Sequence, residues 1–320
     1  MRRAAQAGAR ACPARMMPLR GAGAGVAGCE ISRARPALGT LVQISAWGVT
    51  ADETARAVGA AFDAITAVER LMSFHHPDSE LTRLNLEACR GPQTVHPWTL
   101  AVLRRALRIA AASDGLFDPS VAPVLVRLGQ LPAHMPLPRE CGSWRDVRIG
   151  LGGDVSFGRP LLLDLGGIAK GFAVDQAVHA LRAGGCVEAV VNAGGDLRRF
   201  GHRWNTIEVR DRSGPRPLLE LRCGAVATSA PPAPRAGRLL QPAGCIIEPS
   251  TGTRWVAASG VTVVATTCVV ADALTKVAAL GGSRAASVLD RFGARVFRDD
   301  GPAATVQRGN GVCDQGESCC

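Results

Sequence analysis

The segment LDLGGIAKGFAVDQAV, residues 161–176, constrains the fold more than any other part of the sequence. An apolar run ends at Asp164, two glycines follow, and Lys170 opens a stretch with the apolar spacing of a helix. This order predicts a strand up to Asp164 and a helix over about 168–182. Glycines allow close approach of the backbone, and a helix N-terminus beside Lys170 attracts an anion such as a phosphate. Such a turn also occurs where a helix only packs on a sheet, so both interpretations stay open from these residues.

The remaining patterns predict helices mixed with hairpin-linked strands. LGTLVQISAWG, residues 38–48, alternates like a strand, and a helix is expected over 51–74 with Asp52 as its N-cap. A second helix is expected over 98–113, whereas the Pro- and Gly-rich residues 129–160 are expected to be irregular. Further strands are predicted at 187–193, 206–210, 217–223, 225–229, 245–248 and 260–267, and a last helix at 268–282. We therefore expect an α+β fold.

The chain is long and apolar enough to form one large core. It has 320 residues, of which 47% are hydrophobic, and no internal repeat divides it. We expect a single domain over 33–300. A disordered or targeting extension over 1–32 would precede it, and a flexible, cysteine-containing tail over 301–320 would follow.

Charge and cysteine content bear on partners and location. The net charge of +10 comes mostly from arginines spread along the chain, which argues against nucleic acid as a partner. The sequence has no apolar run of about eighteen residues, so no transmembrane segment is expected. The eleven cysteines include no C-x-x-C pair, and a reducing, cytoplasmic location fits them best. The alternative is a periplasmic or inner-membrane lipoprotein processed at VAGC, residues 26–29.

Two further features indicate a nucleotide-sized ligand without proving one. A second Gly-Gly-acid turn, NAGGD at 192–196, follows a predicted strand just as the first one does. Asp272, in VVADALTK, lies near the start of the last predicted helix. Its carboxylate either complements the helix dipole or binds a hard cation such as Mg²⁺, which prefers carboxylates, carbonyls and phosphate oxygens.

The motifs, taken in their order, resemble one family, the ApbE-type flavin transferases. The resemblance covers about 33–282 and rests on RARPALGT, LMSFHHPDSELTRLN, GLFDPSVAP, LDLGGIAKGFAVD, VNAGGDLR, VATS, CIIEPSTG and VTVVATTCVVADALTKVAALGG. It implies a T-fold-like α+β fold, a single large domain with a crevice for FAD. It also implies an FAD:protein FMN transferase, which moves FMN from FAD onto a Thr or Ser hydroxyl of a target flavoprotein and releases AMP.

The resemblance also implies roles for residues at matching positions. Lys170 and the Gly-Gly turn would hold the diphosphate of FAD, and Asp272 would bind Mg²⁺ together with the main-chain carbonyl of Gly167. The residues expected to contact FAD are Leu38, His75, Leu116, Phe117, Asp118, Asp164, Lys170 and Cys245. The residues expected to act in catalysis are Cys245, Asp272 and Lys276.

Two positions depart from the family pattern. Lys276 stands one helical turn after Asp272, where the family has a Thr that helps to hold the metal. Because an ammonium has no acceptor, Lys276 is expected to take the metal position and to pair with Asp272 and the diphosphate. Cys245 stands where the family has a His close to the reacting phosphate, and a neutral thiol is a poor base unless a cation lowers its pKa.

These departures leave two main functions open. The first is a transferase with altered metal and base positions, and the second is an FAD-binding relative that has lost transfer. A third alternative, suggested only by the basic composition, is a protein associated with RNA or DNA.

Overall fold

A seven-stranded antiparallel sheet organises the structure, a computed structural model that describes residues 28–211, 214–229, 246–256, 260–298 and 307–309. The strands are β1 (Cys29–Ala37), β2 (Thr40–Gly48), β3 (Val147–Ile149), β4 (Val155–Phe157), β5 (Glu188–Ala193), β6 (Asp196–Phe200), β7 (Asn205–Asp211), β8 (Gly214–Leu221), β9 (Gly224–Ser229), β10 (Ile247–Glu248), β11 (Thr253–Arg254), β12 (Val261–Ala265), β13 (Arg295–Arg298) and β14 (Gln307–Gly309). The large sheet has the order β1-β2-β5-β6-β9-β12-β13, and all its neighbouring strands are antiparallel. A smaller sheet has the order β14-β8-β7.

Helices cover one face of the large sheet. The helices are α1 (Ala51–Met72), α2 (Glu80–Glu87), α3 (Pro97–Ala112), α4 (Ala122–Arg127), α5 (Ala169–Ala183), α6 (Cys268–Gly281) and α7 (Ala285–Arg291). Helix α5 packs between α1 and α6, while α1 contacts β1 and β2 and α6 contacts β9 and β12. This combination of an antiparallel sheet and a helical layer is the α+β architecture that the sequence predicts.

The β7–β8 hairpin covers the opposite face, so the central strands are buried on both sides. In β2, Val42, Ile44 and Ala46 belong to the core under the helices, whereas Trp47 belongs to the core under the hairpin. This alternation follows from the two-residue period of a strand. Burial on both faces also explains why β12, VTVVA, is apolar at nearly every position.

The helix predicted over 51–74 begins with a different cap from the one expected. Thr50, not Asp52, is the N-cap of α1, because its hydroxyl oxygen accepts a hydrogen bond from the backbone N–H of Glu53 at 3.2 Å. Asp52 lies inside the first turn, where its carboxylate complements the positive end of the helix dipole.

The strand predicted up to Asp164 is wrong. The side chain of Asn85 binds both backbone groups of Leu163, accepting from its N–H at 2.8 Å and donating to its carbonyl oxygen at 2.9 Å. The N–H of Asp164 donates to the carbonyl oxygen of Pro119 at 2.7 Å. The segment is therefore extended but is held by a side chain and a loop, which take the place of a neighbouring strand.

Three further helix predictions and the prediction of an irregular segment agree with the structure. Helices α3, α5 and α6 lie close to their predicted spans, and 129–160 contains only a 3₁₀ turn and the short β3–β4 hairpin. Among the described residues, no helix has both the length and the apolar character needed to cross a bilayer. The proposed domain limits stay predictions, because 1–27 and most of 301–320 lie outside the described residues, as does Cys245.

Candidate functional site

Helices α5 and α6 meet closely at the first turn of α5, just after the Gly-Gly turn. A Cβ at Gly171 would overlap the carbonyl oxygen of Cys268 and would lie 2.9 Å from Cβ of Asp272. The backbone N–H of Gly171 donates to Oδ2 of Asp272 at 3.0 Å. Because Gly171 has no side chain, the start of α5 is fixed directly against the carboxylate on α6.

Four charged side chains converge at this contact and form what we call the lysine–aspartate cluster: Lys170, Asp196, Asp272 and Lys276. Nζ of Lys276 lies 2.5 Å from Oδ1 of Asp272 and 2.9 Å from its main-chain oxygen. Nζ of Lys170 contacts Oδ2 of Asp196 and lies 3.5 Å from Oδ2 of Asp272. Both carboxylates are buried, whereas Lys170 and Lys276 keep 35% and 20% of their side-chain area exposed. Positive charge therefore faces outward from the cluster.

Contacts within the cluster shift the pKa values of Lys170, Asp196 and Asp272. Burial acts to lower the pKa of Lys170, but the carboxylates of Asp196 and Asp272 outweigh it and raise that pKa above its ordinary value. Burial acts to raise the pKa of Asp272, but the two ammonium groups hold it below its ordinary value. The pKa of Asp196 is raised by burial and by the neighbouring charge of Asp272. Asp272 is thus the member most firmly held as a carboxylate.

Asp175 fixes the helix that carries Asp272 and Lys276, and sequence reasoning missed it. Its carboxylate accepts hydrogen bonds from the N–H groups of Cys268 and Val269, both at 2.9 Å, so it caps the N-terminus of α6 from α5. Arg198 of β6 binds the same carboxylate at 2.9 Å. Burial raises the pKa of Asp175 despite these contacts. The available signal was an acid among apolar residues of α5, FAVDQAV, at a position that faces the core.

The structure brings several of the predicted site residues to this cluster. Asp164 accepts a hydrogen bond from the N–H of Gly166 at 3.0 Å. Burial raises its pKa, and the nearby charges of His75, Lys276 and Lys170 oppose that shift only in part. His75 itself is exposed. Asp164, which is half-buried, is therefore within electrostatic range of both lysines of the cluster.

Gly167, Phe117 and Lys276 lie against one another. A Cβ at Gly167 would be 3.3 Å from Cε of Lys276 and 3.5 Å from the ring of Phe117. Leu116 is buried beside the end of α6, since a Cβ at Gly281 would be 3.0 Å from its side chain. The three positions to which the resemblance gives the metal, at 167, 272 and 276, are therefore adjacent in space, and the lysine side chain occupies the place between them.

Asp118 and Leu38 lie in tight turns. The carboxylate of Asp118 accepts from the N–H and hydroxyl of Ser120 at 2.7 and 2.6 Å, and burial raises its pKa. Leu38 and Gly39 have φ values of 54° and 69° in the β1–β2 turn, which suits a two-residue hairpin. Because β2 pairs with β5, this turn adjoins the Gly-Gly turn that leads into Asp196. Leu38 is thus at the end of the sheet that carries the cluster.

Comparison with known proteins identifies the family. The sequence model described as "ApbE family" matches residues 38–296. The chain belongs to the ApbE family. A protein named FAD:protein FMN transferase from Treponema pallidum is 32% identical over 194 residues, which are 56% of this chain and 54% of that protein. One of the same name from Vibrio cholerae is 31% identical over 141 residues, 41% and 42% of the two chains. The matched segments span about half the length of these relatives.

Solved ApbE structures share the fold. The flavin transferase ApbE from Vibrio cholerae superposes with a TM-score of 0.69 at 24% identity, over 85% of this chain and 93% of that one. The ApbE protein from Thermotoga maritima gives 0.70 at 24% identity, over 84% and 94%. These matches confirm the predicted ApbE-type α+β fold as a single domain.

The Mg²⁺ that the resemblance implies does not fit the residues present. Oδ1 of Asp272 is bound by Lys276, and its Oδ2 is bound by the N–H of Gly171 and lies near Lys170. Lys276 offers three donors and no acceptor. Nowhere in the described part of the chain do three or more His, Cys, Asp or Glu side chains form a group able to hold a metal. Both oxygens of the Asp272 carboxylate are therefore already engaged by donors of this chain.

Thr275 does not replace the missing Thr ligand either. Its hydroxyl donates to the main-chain oxygen of Asp272 at 2.7 Å and accepts from the hydroxyl of Ser229 at 2.9 Å. The side chain is buried against β9, about 100° round the helix from position 276. It is therefore used to pack α6 on the sheet.

Proposed function

We propose that this protein is an FAD:protein FMN transferase that moves FMN from FAD onto a Thr or Ser hydroxyl of a target flavoprotein. The lysine–aspartate cluster carries this proposal, because two ammonium groups lie at the N-terminus of α5, beside the Gly-Gly turn, with part of their area exposed. A helix N-terminus and fixed cations together suit a diphosphate. Membership of the ApbE family and the relatives named FAD:protein FMN transferase support the same activity.

The reaction divides between binding and attack. The acceptor oxygen forms a bond to the FMN-side phosphorus, the bond from that phosphorus to the bridging oxygen breaks, and AMP leaves with the electron pair while the hydroxyl proton is released. Lys170 and Lys276 would neutralise the charge that grows on the departing phosphate. The residues that we assign to FAD are Leu38, His75, Leu116, Phe117, Asp118, Asp164, Lys170 and Cys245.

The base that accepts the hydroxyl proton stays a prediction. Cys245 is the candidate from the sequence, and it lies outside the described residues. Lys276 is assigned to charge stabilisation, because an ammonium has no lone pair to accept a proton, and Asp272 is assigned to holding Lys276 in place. The alternative of an FAD-binding relative that has lost transfer finds no support in the comparisons.

The decisive experiment is a transfer assay. Purified protein is incubated with FAD and a candidate flavoprotein acceptor, and covalent flavin on the acceptor is scored by mass together with released AMP. Transfer that stops when the acceptor Thr is replaced by Val supports the proposal. FAD hydrolysis without a modified acceptor, or FAD binding without either product, would contradict it.

We further propose that the protein works in the cytoplasm on a protein partner. The six cysteines of the described residues are free, which suits a reducing compartment. Cys29, the candidate lipidation site, is the first residue of β1 and pairs with Gly48 in the sheet. Mass analysis of the N-terminus from native cells tests this, and an acyl chain on Cys29 would favour the lipoprotein alternative.

A further inference from the structure

The chain contains only two lysines among its 37 basic residues, and both lie in the lysine–aspartate cluster. All the other residues in this count are arginines. They include Arg198 and Arg199, which form buried ion pairs with Asp175 and Glu188. Composition therefore does not explain lysine at these two positions. An ammonium is a compact point charge, whereas a guanidinium is a wide planar fork. Both basic positions of the cluster therefore have lysine, the side chain whose charged group is most like a small cation.

Lys276 is held as a small cation would be held. Two of its three ammonium donors are taken by Oδ1 and the main-chain oxygen of Asp272. Its Cε packs beside Gly167, where a Cβ would lie 3.3 Å away. Among the described residues the third donor has no partner, and the side chain remains 20% exposed. One donor is thus left for a ligand oxygen.

The charge of the cluster leaves no role for a divalent ion. Asp196 and Asp272 contribute two negative charges, and Lys170 and Lys276 balance them. A Mg²⁺ ion near Asp272 would face two ammonium groups within a few ångströms in a partly buried site, where repulsion is strong. A phosphate oxygen would instead meet the exposed parts of the two ammonium groups, because both carboxylates are buried beneath them.

We infer that the Lys276 ammonium replaces the divalent metal at the diphosphate of FAD, so that this protein binds FAD and transfers FMN without a metal ion. The inference rests on the proposed function, because it names the group that contacts the diphosphate of the same substrate. Asp272 is then a positioning residue, which orients Lys276 and does not itself bind a metal.

FAD titration with and without chelator tests the inference. Flavin fluorescence is followed while protein is added in EDTA and, separately, in Mg²⁺. The wild-type dissociation constant is expected to agree within about twofold between the two conditions, a difference well under 1 kcal/mol. A wild-type protein that binds FAD only when Mg²⁺ is present would overturn the inference while leaving the proposed function intact. Failure to bind FAD in either condition would overturn both.

Substitutions at position 276 separate charge from metal binding. Lys276→Met keeps the length but removes the charge, so FAD should bind about ten- to a hundredfold more weakly in both conditions. Lys276→Thr supplies an oxygen ligand beside Asp272, so Mg²⁺ should restore its FAD affinity. Lys170→Met is the matched control, because it should weaken FAD binding without any rescue by Mg²⁺. Rescue of all three variants, or of none, would contradict the replacement.

A readout on the wild-type protein tests the inference independently of the affinities of the variants. Protein grown with lysine ¹³C-labelled at Cε gives only two lysine side-chain signals, because the chain has two lysines. We expect FAD in EDTA to shift both signals and Mg²⁺ alone to shift neither. The assignment follows from the signal that is missing in Lys276→Met. A Lys276 signal that moves on adding Mg²⁺ but not FAD would contradict the inference.

Discussion

Strand β6 contributes to buried ion pairs on both faces of the central sheet, and the two sides are built differently. On the helix side, Asp196 pairs with Lys170, which keeps 35% of its side chain exposed. On the hairpin side, Arg199 is fully buried, pairs with Glu188 at 2.9 Å and also donates to the main-chain oxygen of Leu221. Burial lowers the pKa of Arg199 to about 10, so it remains charged near neutral pH.

On the hairpin side the ion pairs link parts of the chain to one another. Arg203 binds the second oxygen of Glu188 at 2.8 Å, so both carboxylate oxygens are used, and the guanidinium of Arg199 joins β5, β6 and β8. A planar fork suits such a linkage between backbone elements. The helix side uses compact ammonium groups and keeps them accessible. One network therefore holds the hairpin on the sheet, whereas the other leaves charged groups partly exposed.

Removing Arg199 should have the largest effect on stability. Arg199→Met leaves the buried Glu188 with only Arg203, and breaking a buried ion pair in this way costs about 3 kcal/mol or more of unfolding free energy. FAD affinity should stay unchanged, because the side chain faces away from α5 and α6. Urea unfolding and FAD titration of the same sample measure both.

A double variant sharpens this result. Glu188→Gln combined with Arg199→Met removes both charges, so it should be less destabilised than Arg199→Met alone. If Arg199→Met lowered FAD affinity as much as stability, the division between the two sides of the sheet would be wrong.

Asp175 stabilises the fold and also fixes α6, so its removal should lower both the free energy of unfolding and the affinity for FAD. Asp175→Ala leaves the N–H groups of Cys268 and Val269 without their acceptor and Arg198 without its partner. We expect a loss of about 2 kcal/mol in unfolding free energy. Weaker FAD binding should accompany it, because α6 carries Lys276.

Asp175→Asn is the control for this positioning role. Its amide keeps one acceptor oxygen for the helix N-terminus, so both losses should be smaller than in Asp175→Ala. Loss of stability without any change in FAD affinity would show that Asp175 supports the fold but does not position the site.

Sequence patterns predicted the parts of this site that depend on local spacing. The i, i+4 relation between Asp272 and Lys276 predicted their contact, and the structure shows it. The periodicity of 168–182 predicted α5, which begins at Ala169. The Gly-Gly turn and Lys170 were placed at its N-terminus for the same reason.

The features that the sequence did not predict depend on distant partners. β1, with RARP exposed at the sheet edge, has no apolar alternation and is a strand because β2 pairs with it along its whole length. Residues 161–164 looked like a strand because they are apolar, but Asn85, far away in sequence, takes the backbone groups of Leu163. Asp175 capping α6 is likewise a contact between residues more than ninety positions apart.

On the helix side the direct effect on binding should come from Lys170. Lys170→Ala removes an ammonium at the N-terminus of α5, so FAD binding should weaken by about 1–3 kcal/mol. Arg203→Ala is the matched control on the hairpin side, because it also removes a partly exposed cation from a buried carboxylate. An unchanged FAD titration for Lys170→Ala, or an equal loss for Arg203→Ala, would contradict the phosphate role of Lys170.

The smallest expected effect is a difference in pH dependence between Asp272 and Asp175. The pKa of Asp272 is below its ordinary value in the folded protein, so the folded state binds fewer protons than the unfolded state. Its contribution to stability is therefore present above about pH 4, the ordinary pKa of an Asp, and is lost as the pH falls through the folded value. The pKa of Asp175 is raised by burial, so its contribution is present below about pH 4 and is lost as the pH rises.

Carboxamide variants isolate these two contributions, because Asn has the shape of Asp but does not titrate. Unfolding free energies of the wild type, Asp272→Asn and Asp175→Asn are measured in urea from pH 7 down to the lowest pH at which all three fold. As the pH falls, the difference between wild type and Asp272→Asn should shrink, whereas the difference between wild type and Asp175→Asn should change in the opposite direction. The two carboxyls are buried between the same helices, so burial alone would give both differences the same sign of slope. Parallel curves would therefore mean that the lysines do not hold Asp272 as a carboxylate, and the cluster would lack the fixed ion pair that distinguishes it from the cap of α6.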